Sequence, residues 1–503
     1  MYRSIVVAAS LALAVPPLAA QGAVDTTGTG ALIAQAMNHS EVMRTLQHLS
    51  DAIGPRLSGS PAMRRANEWT AERFRAYGLE ARLEPYTFGV TWTRGTASLR
   101  LTAPFDRAIT AQSWAWTEGT GGRTRSGPVL LVDLSTPDSL AAARSRVRGA
   151  WVMPRPPYPV WNPDGPNMTA ADSVRRAEVL RLRGLAFADT SAEAVRARRQ
   201  YALDLPYALR AAGALGTVVD GAKEHALMTM SGSPNRVAPL PSLVISHEDY
   251  AMLDRQIEAG LAPRVEGRVE NVLGRTPVTQ WNTVAEIHGS ERPGEVVILG
   301  AHLDSWDLGT GVTDNGAGSA VVLEAARALA QSGVRPRRTI RFILFSGEEE
   351  GLLGSRAYAA AHAAEADSIQ AVLVLDNGTG AIRGQALQGR PELEGLWRSL
   401  LAPVAALGAD SVRDARKSGT DHLSFLPYGV PAFNFDQLPR GYSHTHHSQS
   451  DTFDKAVEAD LEQAAAVMAV TALELANLPE LLPRGPRFEP EVVPTRPSVS
   501  ATH

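Results

Sequence analysis

The chain contains no cysteine. That excludes disulfides, thiol nucleophiles and cysteine-ligated zinc, so a bound metal has to be held by His, Asp and Glu. Lysine is scarce, with Lys223, Lys417 and Lys455 alone among 49 basic residues, and this skew carries no functional reading. No charge of one sign dominates: the 49 basic residues face 53 acidic ones, for a net charge of -4. Nucleic acid and anionic membrane surfaces are therefore not expected partners. No apolar run is long enough to span a bilayer.

The segment "MYRSIVVAASLALAVPPLAAQGA" has a short basic start at Arg3, an apolar run over 5–15 and small residues at Ala19 and Ala20. This is the layout of a secretory leader, so residues 1–20 are expected to be a signal peptide and the mature chain secreted or periplasmic. A length of 503 residues, 44% hydrophobic and 20% charged, points to a globular protein of two or three domains.

Two strand–helix alternations divide the chain. Residues 24–125 and 275–480 are expected to form one catalytic domain. Residues 126–265, with "GPVLLVDL" and "PLPSLVISHEDYAML", are expected to be an inserted domain, and the proline-rich 481–503 a flexible tail. Strands alternating with helices predict an α/β class with a mixed central sheet covered by helices on both faces.

Chemistry-bearing residues recur at strand ends. The apolar run 296–299 leads to His302 and Asp304. The run 340–345 leads to Glu348 and Glu349, 372–375 to Asp376, and 432–435 toward the loop "GYSHTHHSQSDTFD" with His444, His446 and His447. "GTGVTDNGAGSA" adds Asp314 at a helix start. Open α/β sheets form their sites outside the carboxyl ends of the strands. Carboxylates gathered there repel one another, and divalent cations relieve that cost. Oxygen donors with imidazole and no thiolate suit zinc, with cobalt or manganese as substitutes.

"GAHLDSW", "GVTDNGAGSA", "FSGEEEGLLGS", "LVLDNGTG" and "HHSQSDT" resemble, in order, the motifs of the co-catalytic di-zinc exopeptidases of the aminopeptidase Y and bacterial leucyl aminopeptidase type. "IGPRLSGSPAMRRANEW" and the long "HLDSWDLGTG" bring the carboxypeptidase Q branch nearest. The resemblance implies the zinc-exopeptidase fold and a protease-associated-like, β-rich insertion. It implies two Zn2+ ions, one on His302 and Asp376 and the other on Glu349 and His447, with Asp314 bridging both. Asp304 would orient His302. Glu348 would be general base and acid for attack by a metal-bridged hydroxide on a peptide carbonyl. Counting four residues back from Asp451 and Thr452 selects His447 as the ligand. His446 then lies beside it, His444 lies on the loop surface, and Asp451 holds the loop's shape. Tyr442, His446 and Trp306 are candidates to line the substrate pocket, with core aromatics the plain alternative for Tyr442 and Trp306. Asp421 and His422 of "SGTDHLSF" are candidates for support behind the ligands. The expected substrate is a dipeptide or short peptide. Aminopeptidase action on longer peptides, a glutaminyl cyclase-type acyltransferase and an inactive receptor-like homologue remain alternatives, and a homodimer is left open.

Overall fold

The structure is a computed structural model that describes residues 27–158, 177 and 191–490. The leader expected at 1–20 lies outside the described residues. In chain order the strands among them are β1 (Glu80–Thr93), β2 (Ala97–Ala103), β3 (Arg107–Ile109), β4 (Ala111–Ser113), β5 (Arg125–Leu131), β6 (Trp151–Met153), β7 (Gly216–Asp220), β8 (Ser242–Ile245), β9 (Arg264–Val269), β10 (Val272–Ile287), β11 (Arg292–His302), β12 (Arg338–Phe345), β13 (Ile369–Val374), β14 (Ile382–Ala386), β15 (Ser411–Arg413) and β16 (Ala432–Gln437).

The first sheet runs β1-β10-β12-β11-β13-β16-β14-β15. Its centre, β12-β11-β13-β16, is parallel, whereas β1, β10 and β14 pair antiparallel to their neighbours on the way in from either edge. Parallel strands are covered on both faces and read as continuous apolar runs. "FILF" at the end of β12 is such a run, and the strand is buried at every position. Helices Ala317–Gln331 and Glu458–Asn477 cover one face, packed with Leu32, Leu46 and Phe74 of the N-terminal helices. Glu458–Asn477 is apolar around most of its circumference and correspondingly buried. On the other face Phe345, Tyr358 and Phe425 form an aromatic cluster. Helix Pro61–Ala76 begins at the Ser60 cap, whose hydroxyl accepts from the Met63 amide at 3.1 Å, and gives way to Gly78 at φ 88°.

His362, at the end of helix Leu353–Ala361, ties that helix to β1. Its Nε2 lies 2.9 Å from Glu84 and its Nδ1 2.9 Å from Glu365. The hydrogen bond to Glu84 raises the His362 pKa above 6.5, with burial opposing. For Glu84, burial raises the pKa but the His362 contact and Arg82 leave it below 4.5, and Glu365 is depressed in the same way. The raised histidine gives stability that is present below 6.5 and lost as pH rises through its folded pKa. The depressed carboxylates give stability that is present above 4.5 and lost on acidification. The difference in melting temperature between wild type and His362→Gln should therefore be largest near pH 5.5 and shrink toward pH 9. A difference that grew with pH would contradict the pairing.

The second sheet runs β3-β2-β9-β5-β6-β7-β8-β4. It starts at Ala97, upstream of the boundary expected at 126, because β2 pairs antiparallel along β9 from Ala97 opposite Val269. Short-range alternation in "TASLRLTA" signals a strand but cannot say which sheet it joins. The sheet of this unit is eight-stranded and mixed. β5, β6, β7 and β8 are parallel, and helices Pro137–Ala143, Ala192–Ala211 and His247–Glu258 accompany them.

The tail expected to be flexible from 481 is docked through residue 488. The Leu482 amide donates to Gln370 at 2.7 Å, the Gly485 amide to the Gly429 carbonyl at 2.9 Å and the Phe488 amide to the Pro427 carbonyl at 3.1 Å. Proline richness reported the lack of helix here, not a lack of partners. Among the described residues no helix is long and apolar enough to cross a membrane.

Candidate metal centre

The parallel strands deliver their carboxyl ends to one edge. His302 is the last residue of β11, Asp376 lies two residues beyond β13, and the turn after β12 carries Glu348 and Glu349. Asp314 enters from the start of helix Ala317–Gln331, and the loop after β16 brings His446 and His447. Gly347 at φ 73° and Gly351 at φ 118° allow the tight turn that presents the two glutamates.

These side chains converge. His302 Nε2 lies 3.3 Å from one Asp314 oxygen and 3.6 Å from Asp376. The other Asp314 oxygen lies 3.5 Å from His447 Nε2, which is 2.9 Å from Glu349. Asp314 thus faces both groups, one with each oxygen. His302 Nδ1 is 3.1 Å from the Asp304 carbonyl and 3.6 Å from its carboxylate. The Asp304 carboxylate also accepts from Ser58 at 3.1 Å and from the Glu349 amide at 3.3 Å.

His446 is half-exposed. Its ring stacks on His447 at 3.7 Å and its Nε2 is 3.8 Å from Asp314. Tyr442 is 5.1 Å from the His446 ring and lines the cavity with it. Trp306 is buried and backs the His447 imidazole edge-on at 5.9 Å, so it lies behind the ligands and not among the lining of the main cavity. His444 is exposed. Asp421 and His422 are buried without hydrogen bonds from their side-chain polar atoms.

A cation fits this donor set. His302 Nε2, Asp314 Oδ2 and Glu349 Oε1 are buried and have no hydrogen-bond partner, although each belongs to a residue within reach of an opposite one. Unpaired buried polar atoms of this kind are costly unless an ion satisfies them. His302–Asp314–Asp376 and Asp314–His446–His447 each place three donor atoms within 4.8 Å of one another.

The electrostatics agree. Burial raises the Glu348 pKa well above its ordinary value, and Asp376, Asp421 and Glu349 add to this. Burial, then Asp314, does the same for Glu349. Burial would lower the His302 pKa, but Asp376, Asp304 and Asp314 carry it well above the usual range. Asp314 is held low against its burial by His302, His447 and His446. Burial, helped by His447, pulls His446 down to about 4.

Arg56, Ser58 and the segment between β7 and β8 were not assigned from sequence, and Asp451 holds a different loop from the one expected. Arg56 and Ser58, in the quoted "IGPRLSGSP", reach under the site, and an arginine inside a Gly-Pro-rich turn was the available signal. The Asp451 carboxylate, expected to shape its own loop, instead accepts from the amides of Val312, Thr313 and Asp314 at 3.0, 2.6 and 3.2 Å, so it holds the Asp314 loop. The segment between β7 and β8 also contacts the site: the Met230 amide donates to the His447 carbonyl at 2.9 Å and Ser233 to the Glu350 carbonyl at 3.0 Å. Lys223 of the same segment donates to the Ser443 carbonyl.

Buried carboxylates and imidazoles at the carboxyl edge of a mixed sheet define metal-dependent hydrolases of α/β fold, and comparison with known proteins narrows this class to a metallopeptidase. Residues 282–472, which carry all the ligand candidates, match Peptidase family M28. Carboxypeptidase Q of Bos taurus is 29% identical over 438 residues, covering 87% of this chain and 85% of that one. The crystal structure of a Peptidase M28 precursor from Shewanella amazonensis superposes with a TM-score of 0.73 at 25% identity, covering 91% of this chain and 98% of that one. BSAP, a zinc aminopeptidase from Bacillus subtilis, shares the fold with a TM-score of 0.59 at 20% identity, over 86% of this chain and 93% of that one.

Proposed function

We propose that the chain is a secreted or periplasmic exopeptidase that uses two zinc ions to hydrolyse dipeptides or short peptides. The observation that carries this reading is Asp314, whose two oxygens face two separate imidazole–carboxylate groups. His302 and Asp376 would hold one ion, Glu349 and His447 the other, with Asp314 shared. Zinc, when bound, lowers the pKa of water and polarises a peptide carbonyl. Glu348 lines the cavity with Asp376 and Tyr442, and it holds no ligand position in this arrangement. It takes the proton from the attacking water and returns it to the leaving amine. Asp304 fixes the His302 ring from behind. We read residues 97–269 as a protease-associated-like insertion that roofs the histidine loop through Met230, Ser233 and Lys223. The leader-like start supports export.

The cavity holds about 420 Å3, enough for a small peptide. Lys223 carries an ammonium over the histidine loop, bonded to the Ser443 carbonyl, and we take it as the candidate partner for the free carboxylate of a dipeptide. Free, N-acetylated and C-amidated dipeptides, assayed with a chelator control, test which end is read. The C-amide should be the poorer substrate, and Lys223→Met should raise KM for free dipeptides by about tenfold, which is about 1.4 kcal/mol, without changing kcat. Loss of activity only on N-acetylation, with Lys223→Met unaffected, would favour the aminopeptidase reading.

A further inference from the structure

Arg56 is fully buried, with no described carboxylate hydrogen-bonded to its guanidinium, and it spends its donors on backbone carbonyls. Its Nε donates to the Leu303 carbonyl at 2.7 Å, between His302 and Asp304. One terminal nitrogen donates to Thr310 at 2.9 Å, Leu49 at 3.2 Å and Gly54 at 3.3 Å, and the other to Gly311 at 2.6 Å. Burial pulls its pKa down to about 10, with Asp451, Asp304, Asp314 and Glu349 opposing, so it stays a cation at neutral pH.

Asp451 grips the same stretch by its amides. Its carboxylate accepts from residues 312, 313 and 314, and its carbonyl accepts from the Thr310 amide at 2.8 Å. A cation on the carbonyls and an anion on the amides therefore hold the five residues that end in Asp314. The backbone leaves little slack. Gly311 sits at φ 65°, and a Cβ there would lie 2.2 Å from Ser305 Cβ and 2.8 Å from the Arg56 guanidinium.

We propose that Arg56, with Asp451 as its counterpart, is the positioning residue that sets Asp314 between the two metal positions and His302 beside one of them. The planar fork is what matters: it bonds the carbonyls of both ligand-bearing segments at once, and the single nitrogen of a lysine cannot. Outer partners of this kind tune metal affinity through the ligands they orient. The inference rests on the two-zinc reading above.

The test uses the full chain as wild type, Arg56→Lys, Arg56→Met and Asp451→Asn. Zinc affinity is read by competition with a chelator, the melting temperature on the zinc-free proteins, and kcat and KM on a dipeptide that wild type cleaves. Zinc affinity should fall about 10–100-fold in the variants, and kcat should fall with KM little changed. Added zinc should restore occupancy, and Arg56→Lys should not rescue what Arg56→Met loses. Wild-type zinc affinity in a folded variant that only melts lower would assign Arg56 to the fold and overturn the proposal. If the Arg56 variants do not fold, Asp451→Asn decides by the same zinc measurement, and failure of all three to fold also overturns the proposal. A wild type that binds no zinc would instead remove the metal reading itself.

Discussion

Glu348→Gln is expected to retain its full zinc complement and lose kcat by about 10²–10⁴-fold. The substitution keeps the size and shape of the side chain and removes its capacity to accept a proton and pass it on. Glu348 and Glu349 are neighbours on one turn, yet the structure separates them. Both line the cavity with Asp376, Tyr442 and His446, but the Glu349 carboxylate is 2.9 Å from His447 Nε2 whereas among the described residues no imidazole pairs with Glu348. No hydrogen bond from the Glu348 side chain to another described residue would hold it away from substrate. Its turn is fixed through its backbone, by bonds from the Gly351 and Leu352 amides to its carbonyl at 2.8 and 2.9 Å. Replacing the carboxylate should therefore leave the ligands where they are. Metal analysis beside steady-state kinetics reads both quantities on one sample. A zinc-loaded variant with full activity would sink the base assignment. A variant that lost zinc would make Glu348 a ligand and send the search for the base to the other carboxyls at this edge.

The ligand candidates were legible because each obeys a local rule. His302, Glu349 and Asp376 follow apolar runs of strand length, and the sheet brings strand ends together whatever lies between them in sequence. The choice of His447 from three histidines came from the resemblance, which implies a ligand four residues before an Asp-Thr pair; the structure puts that imidazole at Glu349 and leaves His444 exposed. Non-local contacts were not legible. Arg56 acts on carbonyls about 250 residues away, and no periodicity or spacing encodes that reach. The partner of β2 is β9, more than a hundred residues on, so the extent of the second sheet escaped notice for the same reason. Trp306 shows a third limit. Its nearness to His302 in sequence left pocket wall and core aromatic both open, and its ring lies between His447 and Trp116.

Asp314→Asn should be the more damaging change, because in the proposed two-zinc reading it would strike both metal positions. The asparagine keeps the volume and one acceptor. It removes the negative charge and turns an amide NH2 toward either His302, now 3.3 Å from one carboxylate oxygen, or His447, 3.5 Å from the other. In that reading the two ions would repel each other, and a shared carboxylate would offset the repulsion in a way a neutral amide cannot. His302 with Asp376 and Glu349 with His447 would each be left as a two-residue site. Zinc retained after dialysis should fall toward zero, and activity should fall below about a thousandth of wild type, which is about 4 kcal/mol of transition-state stabilisation. The fold should survive, since the backbone of residue 314 remains bonded to Asp451 and the loop remains held at Thr310 and Gly311. The order of damage carries the argument. Glu348→Gln should be inactive with zinc and Asp314→Asn inactive without it. One ion retained in Asp314→Asn would assign the carboxylate to a single position, and two ions retained would end the bridging assignment.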